Sequence, residues 1–260
     1  MIDVHRHNRN AWDAESRSGS NPWCQPVDEP TIEKARNGHW EVILTPKRCV
    51  PPAWFDGVNG KRVLCLASGG GQQVPILAAA GAKVTSFDIS EEQLAKDELV
   101  SARDGLDVEL VQGDMADLSC FRAERFDLVF HPVSNAFSSD VRAVWRECHR
   151  VLATGGRLLA GFMNPTYYLF DHDSLEEGGP LLIRNRLPFV EATDLPPKRL
   201  KQRLSQPEAL EFSHSLDDQI GGQIDAGFVI AGLYEDRWTD EATRLNVYMP
   251  TSIATLAIKT

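Results

Sequence analysis

An α/β fold, a mostly parallel sheet with helices on both faces, is predicted by three observations. Short apolar runs alternate with helical stretches between Lys61 and Phe162. The first of these runs ends in three successive glycines, Gly69-Gly70-Gly71, just ahead of a helix. Polar side chains suited to ligands then follow further strands, at Asp88, Asp114 and His131, where ligands of open α/β sheets bind.

Residues 1–60 are polar and hold Trp12, Trp23, Trp40 and Trp54. Pro22, Pro26, Pro30, Pro46, Pro51 and Pro52 break this stretch, leaving room for helices around Asn8 to Arg17 and Thr31 to Trp40. So many large aromatics do not suit a disordered tail, so the segment is expected to be an arm packed over the ligand-binding face.

The main domain is expected at 61–163 and 223–260. Val63 to Leu66 makes the first strand, and Val74 to Ala80 its helix. Lys83 to Asp88 is the second strand, followed by a helix from Ser90 to Asp104, with Ser90 as N-cap and Gln93 in the reciprocal position of a capping box. Val108 to Gln112 and Phe126 to Phe130 are the third and fourth strands. A helix from Ser139 to Leu152 is stopped by Gly155-Gly156, and the fifth strand runs from Gly156 to Phe162. Residues 164–222, rich in proline and charge, read as an inserted cap over the ligand face with short strands at Leu181 to Phe189 and Ala209 to Ser215. Alternation returns with a helix at Ser215 to Ala226 and strands at Phe228 to Trp238 and Thr251 to Lys259.

Composition narrows the partners. A net charge of -10 with no basic block argues against duplex nucleic acid, whose binding rests on Lys and Arg neutralising phosphates. The five cysteines are odd in number and include no Cys-x-x-Cys pair, so neither a disulfide framework nor a zinc site is expected. No metal is expected elsewhere either: the acidic run from Asp171 to Glu177 reads as a solvated loop. No signal-like or membrane-length apolar run occurs, which makes a cytoplasmic protein without a membrane partner the expectation.

The glycine spacing separates two ligand classes. A dinucleotide fingerprint needs Gly-x-Gly-x-x-Gly, but Val74 stands three residues after Gly71. The pattern present is small-x-Gly-x-Gly, at Ala67, Gly69 and Gly71. Asp88 can accept both hydroxyls of a ribose or cap the Ser90 helix, and Asp114 can take an adenine amine or serve its own turn.

These pieces resemble the class I S-adenosylmethionine-dependent methyltransferases of the small-molecule type. The resemblance runs through Val63 to Gly71, Phe87 to Ser90, Gln112 to Met115, Phe126 to Val129 and Arg150 to Gly156, in the family's order. It implies a Rossmann-like seven-stranded sheet closed by a C-terminal antiparallel hairpin within Phe228 to Thr260. It also implies that S-adenosyl-L-methionine meets Ala67, Ser68, Gly69, Gly70 and Gly71 with its methionine part and Asp88 with its ribose. Ile89, Asp114 and Met115 would then meet the adenine, with Trp12 closing over the cofactor. Two departures stand out. Cys65 replaces a frequent carboxylate that helps organise the turn, with Gln72 or Gln73 as substitutes, and Ala67 replaces the family's first glycine.

The implied activity is methyl transfer to a small-molecule acceptor by in-line displacement. The loop His131 to Phe137 lacks the Asn/Asp-Pro-Pro-aromatic pattern of enzymes that methylate amino groups on nucleic acid or protein. His131 is a candidate general base or cofactor contact. Asn135, Tyr167, Tyr168 and His172, with Asn164 and Asp171, are candidates for the acceptor side, whereas His214 reads as structural. The competing functions are a catalytically silent S-adenosylmethionine-binding regulator or scaffold and a nicotinamide-dependent oxidoreductase. The latter conflicts with the glycine spacing and the final hairpin.

Overall fold

The computed structural model describes residues 2–260 apart from Glu177, so that end of the acidic run lies outside the described residues. Seven strands form one sheet in the order β3-β2-β1-β4-β5-β7-β6. They are β1 (Arg62–Leu66), β2 (Lys83–Asp88), β3 (Val108–Gln112), β4 (Phe126–His131), β5 (Leu152–Met163), β6 (Phe228–Asp236) and β7 (Ser252–Lys259). β7 runs antiparallel to both β5 and β6, and the remaining pairings are parallel. The Rossmann-like sheet with its closing antiparallel strand is thus present.

Alternation along β1 shows why the sheet is covered on both faces. Val63 and Cys65 join one core cluster with Leu77, Leu128 and Phe130, while Leu64 and Leu66 join another with Val129 and Trp145. Helices α1 (Val4–Ser18), α2 (Glu29–Arg36) and α3 (Pro52–Phe55) lie in the arm. Helices α4 (Gln73–Ala79), α5 (Glu91–Asp104) and α6 (Val141–Val151) follow β1, β2 and β4. In α6, Val141, Val144, Trp145, Cys148 and Val151 form one buried stripe at helical spacing, and Asp140 caps it by accepting from Ala143 N–H at 2.9 Å.

Two local expectations are corrected. The pair Gly155-Gly156 does not stop α6, because the chain enters β5 directly at Leu152 and spends the glycines in an irregularity opposite Phe126 and Leu128. The strands expected at Leu181 to Phe189 and Ala209 to Ser215 are only isolated bridges, Phe170 with Ile183 and Val190 with Phe212. The helix expected from Ser215 is present, running through a π turn, Asp217–Gly221, into Gly222–Asp225. Arg142 gathers Asp217, Asp218 and Asp225 around that turn, at 2.7, 2.7 and 2.6 Å. Among the described residues no helix is long and apolar enough to cross a membrane.

Candidate functional site

Beyond the carboxyl ends of β1 to β4 lies a cavity with ≈ 1240 Å³ of unfilled space, part of it open to solvent. Its wall includes Ala67, Ser68, Gly69, Asp88, Ile89, Asp114, Met115 and Trp12, and excludes Gly70 and Gly71. Those two glycines face away from the cavity, toward α5 and the arm. A Cβ on Gly70 would run into Gln93, and one on Gly71 would sit 3.0 Å from Pro26 Cα. Gly69 has φ 73, and a side chain there would meet the Trp23 carbonyl oxygen at 2.8 Å. Ala67 takes up the left-handed backbone that a glycine would hold easily, at φ 47.

Donors and acceptors from distant segments fix the turn. Ala67 N–H donates to Phe87 O at 2.8 Å. Gly70 N–H donates to Gln93 Oε1 at 2.8 Å, and Gly71 N–H to Asp97 Oδ1 at 2.6 Å. Gln93 therefore serves the glycine turn in addition to lying in the first turn of α5, where its N–H binds Ser90 Oγ at 3.2 Å. Its side chain does not close a capping box. Gln72 and Gln73 tie down the arm: Gln72 Nε2 donates to Pro22 O at 2.6 Å and Gln25 O at 2.9 Å, and Gln73 Oε1 accepts from Ile43 N–H at 3.1 Å. Both residues also line the cavity, so one end of each amide anchors the arm while the residue stays at the wall.

Asp88 sits at the wall with its Oδ1 accepting from Ser90 N–H at 2.9 Å. Burial pushes its carboxyl up to about 7 against the pull of the Ser90 and Ile89 N–H groups, and Asp13 adds to the rise. Asp114 is half-exposed, accepts from Ala116 N–H at 2.9 Å and meets His5 Nε2 at 3.5 Å. Trp12 packs edge-on against Phe137, and Trp23 against Trp238, both with ring centroids 5.0 Å apart. The arm thus supplies Trp12, Trp23 and the stretch Ile43 to Thr45 to this wall.

The other acceptor-side expectations are corrected by position. His131 is wholly buried and outside the cavity wall, with Nδ1 2.8 Å from Leu66 O and its ring edge-on to Trp145. Burial holds its imidazole down at about 4, so it is neutral and out of reach as a general base. Asn135 is also fully buried, and its amide is spent on a reciprocal pair with Gln219 at 2.9 and 3.1 Å. Tyr167, Tyr168 and His172 line a second cavity within residues 167–211 that shares no wall residue with the first. Tyr168 donates to Glu211 at 2.7 Å, and His172 stacks on Tyr167 at 3.6 Å. Asn164 caps its own turn through Thr166 N–H at 3.1 Å, and Asp171 is gripped by Arg199. No described residue of 164–222 lines the first cavity; the insertion packs instead behind its wall, where His7 Nε2 meets Glu208 O at 2.9 Å and Asn8 donates to Leu210 O at 2.9 Å. His214 binds the Ser138 and Asn135 carbonyls at 2.9 and 3.2 Å. No group of three or more His, Cys, Asp or Glu side chains among the described residues could hold a metal ion.

His5 and Asp97 carry no signal in the sequence, and Gln93 reads there only as a capping residue; Trp23 belongs to the tryptophan-rich arm, and Phe137 to the loop after β4 that the sequence offers for the acceptor.

A sheet in this order, with a glycine turn after its first strand and carboxylates after the next two, defines a nucleoside-type cofactor site. The methyltransferase domain family matches residues 64–160. The chain is 47% identical over 253 residues to the uncharacterized methyltransferase YbaJ of Bacillus subtilis, covering 97% of each chain. It is 34% identical over 122 residues to a ubiquinone biosynthesis O-methyltransferase of Pseudomonas syringae, covering 45% of this chain and 53% of that one. An S-adenosylmethionine-dependent methyltransferase structure from Mesorhizobium loti superposes with a TM-score of 0.61 at 20% identity, over 80% of this chain and 94% of that one. The chain belongs to the class I S-adenosylmethionine-dependent methyltransferases, and is an enzyme that uses S-adenosyl-L-methionine. The nicotinamide-dependent alternative falls with that assignment. The residues present fit the cofactor: Ser68 Oγ is buried at the wall without a partner among the described residues, beside the carboxylates that follow β2 and β3.

Proposed function

We propose that this enzyme methylates an uncharged, largely apolar small molecule, and that the cofactor and acceptor share the first cavity. The division of its wall carries this reading. The groups after β1 to β3 include Asp88 and Asp114. The groups from α1, the 43–45 stretch and the loop after β4 include Val4, Leu44, Val133 and Phe137, with the hydroxyls of Thr45, Ser134, Ser138 and Ser139. Only His5 among that second set is ionisable, which suits a neutral acceptor and disfavours phosphate or carboxylate groups. The relative that takes part in ubiquinone biosynthesis supports a small-molecule acceptor.

Bound S-adenosylmethionine supplies a methyl group on a sulfonium, already activated for displacement. Asp88 accepts from the ribose hydroxyls, and Asp114, positioned by His5 and Ala116 N–H, accepts from the adenine amine. Ile89 and Met115 cover the adenine faces. Trp12, Trp23 and Phe137 exclude water, so the protein's contribution is mainly orientation. The serine and threonine hydroxyls orient the acceptor's nucleophile, and a base is required only where that nucleophile must give up a proton as the methyl transfers.

The test is incubation with methyl-labelled cofactor and fractionated cell extract. Label is expected in an apolar low-mass fraction, and Phe137→Ala lowers that turnover about tenfold while cofactor affinity changes by less than about threefold. Label confined to macromolecules would overturn the acceptor class, and binding with no turnover in any fraction would favour a cofactor-binding regulator.

A further inference from the structure

We propose that Asp97 on α5 is the positioning residue that shapes the glycine turn for the methionine part of the cofactor, in place of a side chain from β1. The inference rests on the cofactor lying along that turn.

The β1 side chain closest in the chain to the turn and able to act there is Cys65, a fully buried thiol in the core cluster beside Leu77 and Phe130. A thiol is a weak acceptor and cannot hold an amide N–H as a carboxylate does. Asp97 reaches the turn from a neighbouring helix. Its Oδ1 takes Gly71 N–H at 2.6 Å and its Oδ2 takes the Ser86 hydroxyl at 2.7 Å. Ser86 is the β2 residue paired with Cys65, so the carboxylate binds β2 and the turn after β1 at once.

Gln93, one helical turn earlier, takes Gly70 N–H at 2.8 Å and donates to Cys24 Sγ at 3.0 Å. Two side chains of α5 therefore hold two consecutive amides of the turn, and the tight contact of Gly70 with Gln93 leaves no room for a side chain. Asp97 is 1% exposed and makes no ion pair among the described residues. Nearby Lys96 is engaged instead by Cys24 O at 2.5 Å. A carboxylate buried without a cation is costly, so its retention here fits work done on the turn.

This role is local. Asp88 and Asp114 stand in the cavity wall, whereas Asp97 lies behind it and bonds the turn and Ser86 on β2. Calorimetric titration of the full chain with S-adenosylmethionine, and separately with adenosine, distinguishes the two. Asp97→Ala is expected to weaken S-adenosylmethionine about tenfold or more and adenosine by less than about twofold, and Asp97→Asn, which keeps an acceptor for Gly71 N–H, to recover most of the loss. Equal losses for both ligands, or none for either, would overturn the proposal. Should Asp97→Ala fail to fold, Ser86→Ala removes only the hydroxyl on Oδ2. It is expected to cost about threefold for S-adenosylmethionine and nothing for adenosine, and unchanged binding of both would overturn the proposal equally. If the unaltered chain bound no S-adenosylmethionine, the reading of the site itself would fail instead.

Discussion

The two cavities differ in how their charges are satisfied. The one inside residues 167–211 has ≈ 2360 Å³ of unfilled space against ≈ 1240 Å³ for the one beyond β1 to β4. Several of its charges are paired: Arg199 grips both oxygens of Asp171 at 2.9 Å, and Arg203 pairs with Asp173 at 3.2 Å, with Glu191 at 3.4 Å and with Glu208, while Glu211, its carboxyl raised by burial, meets the Tyr168 hydroxyl and no cation among the described residues. At the smaller cavity, Asp88 in the wall and Asp97 behind the turn are buried among N–H and hydroxyl donors with no cation among the described residues. Carboxylates raised by burial thus occur at both, Glu191 and Glu211 in the larger cavity and Asp88 in the smaller; what sets the smaller one apart is that its carboxylate stands at a strand end beside the glycine turn, where a hydroxyl-bearing ligand can relieve the cost of burying it.

The largest expected effect breaks or keeps this contrast directly. Asp88→Ala is expected to weaken S-adenosylmethionine about a hundredfold, and Glu191→Gln in the second cavity by less than about twofold, measured by calorimetry. Similar losses from both would end the distinction.

A pH series sharpens it. Burial raises the carboxyls of Asp88 and Asp97 in the folded chain to about 7, from 3.8 when free. The folded state then binds more protons than the unfolded one between those values, so these groups favour folding most at low pH, and that advantage is lost as pH rises through about 7. Scanning calorimetry of the cofactor-free protein should therefore show a lower melting temperature at pH 8 than at pH 6 from these groups, a difference that Asp88→Asn reduces. Cofactor affinity should move the opposite way, falling by up to about tenfold per pH unit below that range, because ribose hydroxyls bind the ionised carboxylate best. A flat affinity profile would show that Asp88 is ionised without the cofactor.

The smallest effect belongs to the second cavity. Arg199→Ala opens partly exposed ion pairs and is expected to cost about 1 kcal/mol or less in urea unfolding, leaving cofactor affinity unchanged. A coupled loss of affinity would mean that the two regions communicate.

Much of the wall of the smaller cavity at the strand ends was legible. Ala67, Ser68, Gly69, Asp88, Ile89, Asp114 and Met115 all follow strands that short apolar runs announce, and topology delivers strand ends to one edge of the sheet. The opposite wall was legible only in part. The loop after β4 marked for the acceptor does line the cavity, through Pro132, Val133, Ser134 and Phe137, whereas Tyr167, Tyr168 and His172 follow β5 into the separate insertion, and α1 and Ile43 to Thr45 stand in their place.

By itself the sequence determined the alternation of strands and helices, the glycine turn and the family, because periodicity and turn chemistry act over a few neighbouring residues. Tertiary structure alone decided that His131 is a buried neutral imidazole and that Gln72 and Gln73 anchor the arm. It also decided that a carboxylate 26 positions along the chain holds Gly71. Each of these outcomes depends on which distant group a side chain meets, and on how much water is left around it, and no local spacing encodes either.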